Sequence, residues 1–126
     1  MDFRKLLVEN IKENIKINLK KYDLYSKGYL RIFNHISMGN YSLSIQASSF
    51  HYCCPKNTFE DLDLYESMEL AIINSKDEFV NIAEDTFFND FTGLNVFNEC
   101  YSCGVYAYVP VEDIQKLYDY IEKKSS

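Results

Sequence analysis

The residues best able to do chemistry lie in one short run, Phe50 to Lys56, which holds a histidine, a tyrosine and two adjacent cysteines. His51 and Cys53 are two positions apart, so on an extended segment they share a face and could serve as a general base and a nucleophile. Gln46 could then stabilise an oxyanion. Spacing identifies no residue that would orient His51, and the sequence has no glycine-rich phosphate loop, paired-acid signature or H-E-x-x-H motif. We therefore predict that the protein is not an enzyme.

The four cysteines allow a second kind of site. Cys100 and Cys103 have a C-x-x-C spacing, and Cys53 and Cys54 would complete a four-thiolate zinc set if the two segments met in space. Adjacent cysteines are a poor substitute for a second C-x-x-C pair. We expect ordinary buried or free thiols and no cofactor, with a small thiol or zinc module as an alternative.

A binding role fits the run after residue 45 better than catalysis does. Hydrogen-bonding groups, a stacking ring and one cation would gather at a strand end, with two tyrosines on a neighbouring strand. The predicted ligand-binding or partner-binding residues are Gln46, Ser48, His51, Tyr52, Lys56, Tyr106 and Tyr108. Such a mixture can hold a small polar or nucleotide-like ligand, and it can equally be a polar network that locks a strand end to a loop.

A strand over residues 41–48 must position this run, because apolar and small polar residues alternate along it with a period of two. One face of the strand is predicted to join the core, and the other is a row of hydroxyls with one amide. The two sets are Tyr41, Leu43, Ile45 and Ala47, and Ser42, Ser44, Gln46 and Ser48. Pro55 ends any inner-strand pairing.

The remaining pattern predicts an α+β fold, with an antiparallel sheet of four or five strands and the N-terminal and C-terminal helices packed on one face. Further strands are expected over residues 29–36, 66–73, 78–82 and 104–109, with a hairpin turn over residues 38–40 and a short helix within residues 84–97. The expected single domain, 1–126, comprises a basic amphipathic helix (1–21), a sheet with an acidic insertion (28–109) and a C-terminal helix (110–123).

The net charge of −6 is unevenly distributed along the chain. The formal charges of residues 1–31 sum to +4, whereas those of residues 32–126 sum to −10. The acidic body disfavours direct nucleic-acid binding and favours a basic protein partner. The predicted acidic partner face consists of Glu60, Asp61, Asp63, Glu84, Asp85 and Asp90. No run approaches the roughly 18 apolar residues of a membrane span, and the first helix is too charged for a signal peptide, so we expect no membrane contact and a cytoplasmic location.

Three motifs stand out: S-I-Q-A-S-x-F-H-Y-C-x-P-K over residues 44–56, Y-E-S-M-E-L-A-I over residues 65–72 and V-Y-A-Y-V-P-V-E-D-I over residues 105–114. Together they resemble a widespread group of small, mostly uncharacterised proteins encoded by bacteriophages and bacterial mobile elements. The resemblance covers residues 40–121 and leaves the first helix outside it. The group more often has Pro-Arg where this chain has Pro55-Lys56, so a bidentate guanidinium contact is lost here.

The resemblance implies a setting of conflict between phage and bacterial host. With the charge distribution, it leads us to expect a non-enzymatic anti-defence protein, similar to an anti-CRISPR inhibitor, that binds a host defence protein such as a CRISPR effector through an acidic, aromatic face. The alternative is a small-molecule sponge that sequesters a nucleotide-derived immune signal at the cluster from Gln46 to Lys56. Such sponges often bury the ligand between subunits, so this alternative predicts a homo-oligomer.

Overall fold

Alternating apolar residues build a five-stranded antiparallel sheet at the centre of the protein, of which a computed structural model describes residues 1–20 and 30–125. The strands are β1 (Ile36–Met38), β2 (Tyr41–Gln46), β3 (Ser67–Asn74), β4 (Tyr101–Ser102) and β5 (Val105–Pro110). Their spatial order is β1-β2-β3-β5-β4, and every neighbouring pair is antiparallel. The predicted α+β class and antiparallel sheet are confirmed.

Two hairpins close the sheet at the same end. The predicted turn over residues 38–40 is confirmed, with Gly39 at a φ of 57° that a side chain would strain. The second hairpin joins β4 to β5 through Cys103 and Gly104, whose φ values are 49° and 93°. The C-x-x-C motif therefore leads into a hairpin turn, and β4 was not predicted.

One face of the sheet forms the core. Leu43 and Ile45 of β2 lie opposite Ile72 and Leu70 of β3, and all four are fully buried. The C-terminal helix, Val111–Ser125, contacts β1, β3 and β5 and buries Ile114, Leu117 and Ile121. It begins directly after Pro110, one residue later than predicted, because Pro110 is still the last residue of β5.

The prediction of a single helix over residues 1–21 is wrong. Phe3–Leu6 form a 3-10 turn, and helix α1 spans only Ile11–Lys20. Between them, Glu9 makes an isolated antiparallel bridge to Phe33. The side chain of Asn10 then accepts a hydrogen bond from the backbone N–H of Glu13, at 3.1 Å, and caps α1. The bridge interrupts the helix because its backbone groups bond to another segment.

The split also separates the residues of the predicted apolar stripe. Phe3 is fully buried in the core, whereas Ile11 and Ile15 of α1 are exposed. The predicted strand over residues 29–36 is reduced at its described end, since β1 begins at Ile36 and the exposed His35 precedes it. Residue 29 and the polar connector expected before it, over residues 22–28, lie outside the described residues.

The segment between β3 and β4 also differs from its prediction. The return strand over residues 78–82 is only a bridge between Ile73 and Phe79. Two 3-10 turns, Ile82–Glu84 and Thr86–Phe88, replace most of the expected helix, and helix α2 (Leu94–Cys100) begins only after Gly93. The side chains of Asn81 and Asp85, which precede the two turns, accept hydrogen bonds from the backbone N–H groups of Ala83 and Phe87, so each turn has its own side-chain cap. The C-terminal helix, Val111–Ser125, is α3 below.

Candidate functional site

The second face of β2 is only partly covered. Ser42 and Ser44 are half-buried there, and their hydroxyls lie within hydrogen-bonding distance of Ser37 (3.2 Å) and the amide of Gln46 (3.1 Å). This face continues across β3 through Ala71 and Glu69, which lie opposite Ser44 and Gln46. The predicted hydroxyl row therefore exists, but its first half faces outward and its second half is enclosed.

Gln46 and Ser48 belong to the enclosed half, and the prediction that they face a ligand is wrong. The side-chain amide of Gln46 accepts from the backbone N–H of Phe33 at 2.8 Å and donates to the Phe33 carbonyl at 3.0 Å. It takes the place of a strand partner where the chain before β1 separates from β2. Ser48 is fully buried, and its hydroxyl accepts from the backbone N–H of Phe50 at 3.2 Å and lies 2.7 Å from Nδ1 of His51.

Tyr106 is likewise unable to contact a ligand. Its ring is fully buried, and its hydroxyl accepts a hydrogen bond from the backbone N–H of Ile82 at 3.0 Å. The register of β5 places Tyr106 opposite Leu70, on the core face of the sheet. Its role is therefore to anchor the first 3-10 turn after β3.

The proximity of His51 and Cys53 does not produce an activated nucleophile. Burial, with a further contribution from the positive charge of Arg31, lowers the pKa of His51 to about 4. Burial raises the pKa of the Cys53 thiol, whose sulfur lies 3.2 Å from the Ser48 carbonyl and 3.4 Å from the Pro55 carbonyl. A neutral imidazole and a protonated thiol at neutral pH describe a folded polar network better than a base and a nucleophile.

The pKa of His51 predicts a pH-dependent stability. Because the unfolded imidazole titrates near 6.5 and the folded one near 4, the unfolded state binds more protons between these values, so the free energy of unfolding falls as the pH is lowered through this window. We expect His51 to account for about 2 to 3 kcal/mol of this loss. Urea unfolding at pH 4.5 and pH 7 should show a smaller difference for His51→Gln than for the wild type. His35→Gln, which changes an exposed histidine, should leave the difference unchanged; equal behaviour of the two variants would contradict the prediction.

Arg31 organises the network and was missed by the sequence analysis. It is 4% exposed, and its guanidinium donates to the carbonyls of Ala47, at 2.7 Å, and Phe59 and lies 3.3 Å from the hydroxyl of Tyr65. It also stacks over the ring of Phe33 at 4.5 Å, while its Nε has no hydrogen-bond partner. No carboxylate of the described residues forms an ion pair with it. The only signal in the sequence that could have identified Arg31 is that a single cationic residue stands there between apolar neighbours.

Three of the predicted binding residues do come together at the surface. Tyr52 and Tyr108 are 50% and 48% exposed, and their ring centroids are 5.9 Å apart. The backbone N–H of Tyr108 donates to the carbonyl of Tyr52 at 3.0 Å, which ties the loop after β2 to β5. The ammonium of Lys56 lies 5.6 Å from the ring centroid of Tyr52. We call Tyr52, Tyr108, Lys56 and the adjacent Glu69 the tyrosine site.

A β-bulge in β5 places Tyr108 of this site at the surface. Met68 pairs with Val109 and Leu70 pairs with Tyr106, so two residues of β5 oppose the single residue Glu69 of β3. Tyr108, one of the two, has a φ of 54°, which is unfavourable for a bulky side chain. Bulges re-aim side chains, and strained residues persist where the surrounding structure holds them.

Glu69 completes the tyrosine site and was not predicted. Its carboxylate accepts a hydrogen bond from the backbone N–H of Tyr52 at 3.2 Å, and burial raises its pKa. The alternation in β3 places Glu69 on the face away from the core, which is the signal that could have identified it. The site therefore combines two exposed aromatic rings, an ammonium and a carboxylate.

The six predicted acidic residues do not form one face, and that prediction is wrong. Glu60, Asp61 and Asp63 precede β3, at the end of the sheet where β2 ends. Asp63 there pairs with Arg4 at 3.1 Å.

The other three predicted acids lie elsewhere. At the opposite end of the sheet, Asp85 accepts a hydrogen bond at 2.7 Å from the hydroxyl of Tyr41, the first residue of β2, and Glu84 precedes Asp85 in the chain. Asp90 lines a separate surface cavity with Tyr120, Lys123 and Lys124. The strand order separates these groups because it places residues 60–63 and 84–85 at different ends.

The cysteines do not assemble into the four-thiolate set. Cys53 is buried, and its neighbour Cys54 is exposed beside Glu66 at the end of the sheet where β3 begins. Cys103 lies in the hairpin turn at the other end. Among residues 1–20 and 30–125, no group of three or more histidine, cysteine, aspartate or glutamate side chains is placed to hold a metal ion.

Comparison with known proteins does not identify the tyrosine site. No family model, curated protein or solved structure matches this chain. The resemblance to phage and mobile-element proteins therefore stays a prediction. Within the described part of the chain, each helix is too short or too polar to cross a membrane.

Proposed function

We propose that this protein is a non-enzymatic anti-defence protein that binds a basic surface of a host defence protein, in the manner of an anti-CRISPR inhibitor, and that the tyrosine site is the centre of its contact. The observation that carries the proposal is the pair of half-exposed rings, Tyr52 and Tyr108, held at a strained bulge. Tyrosine is enriched among the residues that dominate binding energy at protein interfaces.

The charges around the pair favour a basic partner. Glu69 lies within the site, and the exposed Glu66 lies nearby at the start of β3. Residues 32–126 carry a net charge of −10, so the field of the body attracts a basic surface from a distance and speeds association. An arginine of the partner could stack on Tyr52 or Tyr108 and pair with Glu69. In that complex Lys56 would move from the ring of Tyr52 toward solvent.

Affinity capture tests the proposal directly. The wild-type protein is immobilised and exposed to extract from a bacterial host that carries defence systems, and in parallel it is expressed in that host during phage challenge. We expect a defence component to be retained and phage plating efficiency to rise. Tyr52→Ala should weaken the affinity for the retained component about 30-fold and lower the gain in plating efficiency, because removing a central aromatic contact typically costs about 2 kcal/mol or more.

Phe79→Ala is the matched control. Phe79 is an exposed aromatic residue near the β4–β5 turn, at the opposite end of the sheet from the tyrosine site. Its substitution should leave both capture and plating efficiency unchanged. If the wild type retains no defence component and plating efficiency does not change, the proposed function is wrong. If Phe79→Ala and Tyr52→Ala behave alike, the tyrosine site is not the contact.

A further inference from the structure

The tyrosine site already holds one cation in the free protein. The ammonium of Lys56 lies 5.6 Å from the ring centroid of Tyr52, a distance at which the ring attracts a positive charge. Lys56 is exposed, and within the described residues it forms no ion pair. A contact of this kind at an exposed position is weak, so another cation can displace the ammonium from the ring.

Glu69 supplies a carboxylate beside the same ring, and its charge is only partly compensated. The oxygen Oε1 accepts the hydrogen bond from the backbone N–H of Tyr52, and no donor of the described residues bonds to the other oxygen. Burial raises the pKa of this carboxyl group, although the Tyr52 N–H and the charge of Lys56 both act to lower it. A further cation that reached this half-buried carboxylate would therefore gain more than it gains in an ordinary surface ion pair.

The backbone around the site is already paired, which disfavours recognition by strand addition. The carbonyl of Tyr52 accepts from the N–H of Tyr108 at 3.0 Å. The N–H of Cys54 donates to the carbonyl of Ser67 at 3.2 Å, and its carbonyl accepts from the N–H of Glu66 at 2.8 Å. A partner strand finds no open edge at these residues, so the partner must use a side chain.

We propose that the tyrosine site binds an arginine side chain of the partner and that Lys56 competes with this arginine in the free protein. The inference rests on the proposed function, because it takes the tyrosine site as the contact. A planar guanidinium can stack on the ring of Tyr52 while its N–H groups donate to Glu69, which a compact ammonium cannot do at once. Lys56 illustrates the difference, since it contacts the ring and forms no ion pair with Glu69. A nucleotide is a poorer ligand, because Glu69 would repel its phosphates.

NMR titration with short peptides tests the site without the partner. The probes are a capped alanine tripeptide whose central residue is arginine, and the same tripeptide with lysine or with citrulline, which has the shape of arginine but no charge. The arginine peptide should shift the amide resonances of Tyr52, Glu69 and Tyr108. Its dissociation constant should be about threefold lower than that of the lysine peptide and about tenfold lower than that of the citrulline peptide. Equal affinities for arginine and lysine would overturn the proposal, because charge alone would then explain the binding.

Variants of Lys56 test the competition. Lys56→Gln should raise the affinity for the arginine peptide about two- to fivefold, because the competing contact with the ring is lost. Lys56→Arg keeps the charge and should lower the affinity about threefold, because its own guanidinium then stacks on Tyr52 and pairs with Glu69. Lys76→Gln is the matched control, since Lys76 is exposed in the turn after β3, at the other end of the strand, and its substitution changes the net charge by the same amount. An affinity that is unchanged in both Lys56 variants would overturn the competition.

AMP is the probe for the opposite class of ligand. If AMP binds the wild type and loses affinity in Lys56→Gln, the arginine site is wrong and the surface binds nucleotides. Capture of a defence component from host extract separates the two proposals. If a component is captured but neither the wild type nor Lys56→Gln binds the arginine peptide, this inference is wrong and the proposed function stands. If the peptide binds as described and no component is captured, the proposed function is wrong and the arginine site stands.

Discussion

Replacement of Tyr108 with glycine is expected to weaken partner binding strongly while changing the stability of the protein little. The φ of 54° at this position costs a non-glycine residue of order 1 kcal/mol or more, and glycine adopts it without strain. Loss of the contact with Tyr52 removes about 0.5 to 1.5 kcal/mol of aromatic interaction, so the two effects on stability nearly cancel. Binding has no such compensation, because the ring that contacts the partner is gone. We expect a loss of affinity of about 30-fold or more.

Tyr108→Ala distinguishes the effect of backbone strain on stability from the effect of the tyrosine ring on affinity. Alanine lacks the ring but keeps the unfavourable φ, so its affinity should match that of Tyr108→Gly, while its free energy of unfolding should be lower by about 1 kcal/mol. Urea unfolding and titration calorimetry with the captured partner measure the two quantities. If Tyr108→Gly is much less stable than Tyr108→Ala, the bulge is not strained in the way described. If both variants retain full affinity, the proposed contact is wrong even if the protein is an inhibitor.

Truncation of Arg31 to alanine is expected to cause a large loss of stability. The guanidinium donates hydrogen bonds to the carbonyls of Ala47 and Phe59, and Tyr65 and the ring of Phe33 lie beside it. Its removal leaves buried acceptors without a donor and opens a cavity. We expect the free energy of unfolding to fall by about 3 to 4 kcal/mol. Arg31→Lys should lose about half as much, since an ammonium keeps the charge but cannot reach all the acceptors.

Arg4→Ala is the control for this prediction. Arg4 is partly exposed and pairs with Asp2 at 2.8 Å and Asp63 at 3.1 Å, so its loss should cost less than about 1 kcal/mol. An independent readout is the pKa of His51 followed by NMR, which should rise in Arg31→Met and stay low in Arg31→Lys, because the charge of Arg31 helps to lower it. A cost for Arg31→Ala no larger than that for Arg4→Ala would contradict the role assigned to the buried guanidinium.

Local pattern was enough to predict much of the sheet. The alternation in β2 and β3, the glycine in the first hairpin turn and the apolar stripe of α3 each depend on residues within a few positions of one another. The structure brings Tyr52, Lys56 and Tyr108 of the predicted binding residues together and buries Tyr106 in the core. The sequence could not show that Tyr108 occupies a bulge, since a register shift depends on how β5 meets β3.

The failures share a physical cause, which is that a distant segment satisfies a local backbone or side-chain group. Residues 2–21 have a helical period, yet Glu9 pairs with Phe33, and no property of the first twenty residues contains that partner. Gln46 has the spacing of an outward-facing residue, yet the backbone of Phe33 encloses it.

The sequence by itself determined the antiparallel α+β class, the first hairpin, the C-terminal helix and the uneven charge, because periodicity and composition carry that information. Only the tertiary structure decided which polar residues are buried, where the acids lie and which tyrosines are displayed. Those properties depend on strand order and on contacts between residues far apart in the chain, which spacing along the sequence does not encode.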